Sequence, residues 1–215
     1  MDNPRRAGQS LLVGILLPLV VLGMHPTAHD LTADSGQRMT VVNHLVHGIA
    51  LASQPIVMLG LIGLSQFLGW TPFTTGGIVF YSASMVGMMT AALASGFVAS
   101  DVLAAAQGGA GGATPDVDLL LNYTHYWNQA FAKLGIIAAG IALVLWSLEI
   151  LDGRRLSRLS GYVGVIVGIV LALGVLSGRF ALNVPGIILA TGLEALWMAM
   201  VGIQLIRAER PAAGK

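Results

Sequence analysis

NYTHYWNQAFAKLGIIAAGIALVLWSLEILDGRRLSR, residues Asn122 to Arg158, is the stretch whose reading decides the fold. It opens polar, runs from Leu134 to Leu148 with only Gly135, Gly140 and Ser147 breaking the large apolar side chains and alanines, and closes on Asp152-Gly153-Arg154-Arg155. An apolar helix of about 20 residues is what a bilayer core requires. At 100° per residue Asn122, His125, Tyr126, Gln129 and Lys133 fall within an arc of roughly 100°. Gly140 and Ser147 continue that line, while Trp127, Phe131 and Leu134 occupy the opposite side, which suits lipid or neighbouring helices. One face of a membrane helix therefore looks toward something polar.

The rest of the chain supports the same class. Of 215 residues 55% are apolar and only 10% are charged, against about a quarter in soluble domains. The mean hydropathy is +0.79. The chain is expected to be an all-α polytopic membrane bundle, a single integral domain over 1–215. Its spans are expected at about 10–24, 40–69, 73–99, 119–151, 159–177 and 181–206, six in all, or five if the first is cleaved. A net charge of +1 with no basic cluster among aromatics gives no support for nucleic-acid binding. Without cysteine there are no disulfides, thiolate metal sites or iron–sulfur clusters.

Arg5 and Arg6 precede the first apolar run, which is how a signal peptide also begins, but the residues before Ala28 make a poor cleavage site and a retained helix is expected. That helix is expected at the periphery, with the other five around a polar interior. The segment from His25 to Arg38 is polar and holds His25, His29, Asp30 and Asp34. The second span carries Thr40, Asn43, His44, His47 and Gln54 on one face and Pro55 in mid-span. A proline there frees a carbonyl that neighbouring helices must satisfy. Met58, Met85, Met88 and Met89 read as packing rather than copper ligands. Residues 100–118 are rich in glycine and alanine and are expected to form a flexible extracytoplasmic loop. In the fifth span Gly164, Gly168 and Ala172 make a small-residue ridge for close helix contact.

Counting basic residues near span ends orients the chain. With the N-terminus inside, Arg5, Arg6, Arg154, Arg155, Arg158, Arg207, Arg210 and Lys215 are cytoplasmic, and only Arg38 and Arg179 lie outside. Both termini are then cytoplasmic, most simply in a bacterial inner membrane. A faint tandem repeat lays His44 over His125, and Ser95–Val102 over Ser177–Val184, as two parallel helical hairpins, although chance likeness between alanine- and glycine-rich helices explains it equally well.

All five histidines fall on the outer side in this topology. His44 and His47 project from one helical face, and with His125 they offer a three-nitrogen site for a metal ion, or axial ligands for a b-type haem. Hydrogen bonding at the headgroup boundary, or proton handling, accounts for the same residues. Lys133 lies eight residues, hence about 12 Å, deeper than His125. A lysine at mid-membrane costs about 2.5 to 3.5 kcal/mol and must pair, snorkel or become neutral. Glu194 is the acid expected at similar depth, so a Lys133–Glu194 pair is expected beneath a polar pocket of Asn43, Gln54, Asn122, Tyr126 and Gln129 with the histidines.

No nucleophile elbow, Walker motif, dinucleotide fingerprint or HExxH is present. Three functional readings follow. The pocket binds a metal ion, proton or small solute, with transport coupled to it; or the chain is a haem- or metal-dependent membrane redox protein; or it is an accessory subunit whose polar residues lock helices. The partners expected are the lipid bilayer, a small ligand or ion, and a second copy or a membrane-complex subunit.

Overall fold

The computed structural model describes residues 3–24, 36–108 and 115–208. Among them there are only helices: α1 (Pro4–Leu22), α2 (Gly36–Leu68), α3 (Pro72–Leu93), a π-helical turn (Ala94–Val98), α4 (Ala99–Gly108), α5 (Pro115–Gly153), α6 (Arg158–Leu176) and α7 (Val184–Arg207). Six helical spans are long and apolar enough to cross a membrane, the third being α3 continued through the π turn into α4. The chain is an all-α membrane bundle.

Local chemistry sets the boundaries. Asn3 caps α1 by accepting from the Arg5 amide, with Pro4 as the first helical residue. Between α2 and α3, Gly69 takes φ +108°, which a side chain would resist. Thr71, just before Pro72, and Thr74 in the first turn then cap α3 reciprocally. Asn183 caps α7 through the Gly186 amide, with Pro185 in its first turn. Helix extends over 100–108 and 115–118, so the part of the expected loop left between described helices is 109–114. Polar residues and several alanines there propagate the helices beyond the apolar runs.

Helices α1, α2, α3, α5, α6 and α7 pack each on the next, and α7 returns to α1. The first helix is therefore not peripheral, contrary to the sequence expectation. Ala7 and Leu11 are wholly buried. Glycines permit this: a Cβ on Gly8 would lie 2.3 Å from the Gly202 carbonyl oxygen, one on Gly60 2.7 Å from Leu11, and one on Gly63 2.4 Å from Ala7. The small-residue ridge of α6 behaves as expected, with Gly168 and Ala172 against Gly140 of α5.

The core is mainly aliphatic and includes two tryptophans. Trp146 and Trp197 are fully buried and stacked with centroids 6.3 Å apart. The Trp146 indole N–H donates to Ser65 Oγ at 2.9 Å and that of Trp197 to the Ser160 carbonyl at 3.1 Å, so each amphipathic ring ties its helix to a neighbour. One end of the bundle gathers the basic groups. Arg155 donates to the Phe67 carbonyl, the Ser157 amide donates to Gln204 Oε1, and the Gly8–Ile206 contact brings Arg5 and Arg6 beside the end of α7. At this end Thr71 donates to Glu149, fixing the start of α3 on α5.

Candidate functional site

At the opposite end, α6 stops at a glycine. The Ser177 amide donates to the Leu173 carbonyl and the Gly178 amide to that of Val175, with Gly178 at φ +69°, the left-handed conformation that closes many helices. The Phe180 amide then returns to the Gly174 carbonyl at 2.9 Å. This folds residues 177–183 back over α6 until Asn183 starts α7.

The folded linker and α5 enclose a cleft of about 600 Å³. From α5 come His125, Gln129, Lys133 and Ile137, each four residues after the last and so on one face. Val175 and Leu176 of α6 and Phe180 to Asn183 of the linker form the other wall. The Gln129 amide donates to the Leu182 carbonyl at 3.0 Å, holding the linker to α5. Among the described residues no carboxylate lines the cleft. Its charge is that of Lys133, with exposed Arg179 between two lining residues and the N-terminus of α7 adding positive potential. Lys133 and His125 are exposed to the cleft.

The polar stripe of the organising helix is thus real but divided. His125, Gln129 and Lys133 share the cleft, whereas Asn122 and Tyr126 are exposed, the Tyr126 ring lying edge-on to His125 with centroids 5.9 Å apart. Gln54 is half-buried on α2. The Lys133–Glu194 pair is not formed. Glu194 lies beside Tyr81 and lines a cavity with Gly135, Ile136 and Ala139 of α5. Those three positions lie on average about 115° around α5 from Lys133. Similar depth in two helices says nothing about their rotation, which packing sets.

The histidines separate as well. Asn43 Nδ2 donates to the Ser95 and Gly96 carbonyls at 3.1 and 3.2 Å and to Ser100 Oγ at 2.6 Å. A π turn leaves such carbonyls without their usual helical donors, and Asn43 supplies one. His47 Nδ1 lies 2.9 Å from the Asn43 carbonyl oxygen, so it must be the protonated nitrogen. Its Nε2 lies 3.1 Å from Ser95 Oγ, whose hydroxyl also lies 3.1 Å from the Ala91 carbonyl oxygen, to which it donates. His44 stacks on Phe97 at 4.9 Å, with Nε2 3.5 Å from Asp101. His125 is across α5, in the cleft. Among the described residues no three histidine, aspartate or glutamate side chains gather into a metal-binding group. His44, His47 and His125 are not gathered into one such group, because helical periodicity fixes faces only within one helix. His25, His29, Asp30 and Asp34 lie outside the described residues.

The two segments aligned as a repeat differ in conformation. Ser95–Val102 continues a helix through the π turn, whereas Ser177–Val184 is mostly the folded linker. His44 and His125 accordingly face different neighbours. Sequence reasoning missed Gly178, Phe180 and Asn183 as cleft residues, although Asn183-Val184-Pro185 is a readable helix start. It also missed Tyr81 as the partner of Glu194, for which the sequence carries no signal. Comparison with protein-family models, curated proteins and solved structures finds no match to this chain.

Proposed function

We propose that this membrane protein binds a small anionic solute in the cleft between α5 and the α6–α7 linker, as the recognition step of a transport function. The basic end of the bundle, by the bias of arginines toward the cytoplasm, makes the cleft outward-facing. One observation carries the reading: among the described residues the cleft is lined by Lys133 and His125 and by no carboxylate. A cation with no acidic partner among the described residues, reached by a cleft within the 300–1,000 Å³ range usual for small ligands, favours a carboxylate, phosphate or similar group. Lys133 supplies the charge, His125 and the Asn183 side chain offer further polar contacts, and Ile137, Val175 and Phe180 accept an apolar part of the solute. A metal or haem reading has less support, since its three ligands point to different neighbours.

The test is calorimetric titration of the detergent-solubilised chain with sodium phosphate and sodium butyrate, against choline chloride and glucose. A charge-assisted hydrogen bond contributes about 1.5–3 kcal/mol, so Lys133→Met is expected to weaken anion binding about ten- to hundredfold. Absence of anion binding to the wild type, or unchanged affinity in Lys133→Met, refutes the proposal.

A further inference from the structure

A second site lies on another face of α5, independent of the cleft. Glu194 is central in α7, which spans Val184–Arg207. It lines a cavity of about 20 Å³ with Ser84 of α3 and Thr191 of its own helix, and the Tyr81 side chain stands beside its carboxyl group. A cavity above roughly 10–15 Å³ with polar walls holds one water-sized occupant.

Among the described residues no cationic side chain meets this carboxyl group. Around it α3 brings Tyr81, Ser84 and Met88, α5 brings Gly135, Ile136 and Ala139, and α6 brings Leu171. Tyr81 is the single titratable group among them. Lys133 opens onto the cleft instead. The charged residues of α1, Arg5 and Arg6, lie near Ile206, about 18 Å from Glu194 along α7. A carboxylate inside a bilayer requires compensation of its charge, by a partner or by a bound ion.

We propose that Glu194, with Tyr81, Ser84 and Thr191, forms an intramembrane site for one monovalent cation, either a proton or a sodium ion. A proton would sit on a carboxyl oxygen. Sodium would occupy the cavity among the carboxylate and hydroxyl oxygens. A single acid suits one positive charge, whereas calcium sites gather several oxygen ligands with more than one carboxylate.

The experiment follows thermal unfolding of the purified full chain as choline is replaced by sodium at constant ionic strength and alkaline pH, together with infrared spectra at acidic and alkaline pH. If sodium is the ligand, the midpoint rises with the logarithm of sodium concentration above the dissociation constant, and Glu194→Gln loses that rise. If the proton is the ligand, the midpoint ignores sodium, and the wild type shows the carbonyl band of a protonated carboxylic acid that Glu194→Gln lacks. Should Glu194→Gln not fold, Tyr81→Phe keeps the ring against Trp146 and is expected to shift that band or reduce the sodium response. The proposal is overturned if neither a sodium response nor such a band is seen, or if either persists unchanged in the variant that folds. Anion binding in the cleft is unaffected by either outcome.

Discussion

Replacing Gly168 by alanine puts the seam between α5 and α6 to a quantitative test. A Cβ on Gly168 would lie 2.4 Å from the Gly140 carbonyl oxygen and 2.8 Å from Val144 Cγ2. The closest comfortable carbon-to-carbonyl approach is about 3.3–3.6 Å, so the two backbones must separate by about 1 Å. Because the obstacle is main chain, no rotamer change relieves it. Opening a packed seam by 0.5–1 Å forfeits about a quarter to a half of each dispersion contact along it, and overpacking of this kind costs about 1–3 kcal/mol. Alanine's higher helix propensity returns about 0.8–1 kcal/mol. The expected net loss is about 0–2 kcal/mol, and about 1–3 kcal/mol relative to an unhindered glycine-to-alanine change, read from reversible unfolding in mixed micelles by circular dichroism. Gly48 and Gly192 supply the control, since a Cβ at either meets nothing within 4 Å. Gly48→Ala and Gly192→Ala should be neutral or stabilising by up to about 1 kcal/mol. If Gly168→Ala proves as stable as these controls, the close α5–α6 approach is refuted.

Two further expectations complement the anion titration of Lys133→Met and the cation test of Glu194→Gln. Asn43→Ala removes the two N–H donors shared among the Ser95 and Gly96 carbonyls and Ser100; at about 0.6 kcal/mol for each interhelical bond in membrane proteins it should cost about 1 kcal/mol, with faster hydrogen exchange confined to residues 94–101. Unchanged exchange there would mean the turn does not depend on α2. The chain has no native cysteine, so single cysteines report topology directly. Cysteine at Gly178 should react with an impermeant maleimide in intact cells and cysteine at Arg154 only after lysis, and the reverse pattern would place the cleft on the cytoplasmic side.

Membrane class, span number and most helix boundaries were legible in the residues themselves. Hydropathy, the prolines and capping residues at Pro4, Thr71, Asn183 and Gly178, and the glycine ridge of α6 are local signals, and a bilayer obliges every span to satisfy its backbone within itself. The stripe of His125, Gln129 and Lys133 was legible for the same reason, since one helix fixes the angles among its own side chains. Which stripe meets which was not. Rotation and neighbour choice depend on close approach over glycines, as at Gly8 and Gly202 or Gly63 and Ala7, and on indole hydrogen bonds from Trp146 and Trp197. Those packing contacts drew the first helix into the bundle, turned Glu194 to Tyr81 rather than Lys133, and set His47 against Ser95 while His125 faced the folded linker. The sequence alone determined that apolar helices cross a membrane with polar stripes upon them; the tertiary structure decided what each stripe faces, because side-chain fit between helices is long-range and has no periodicity to read.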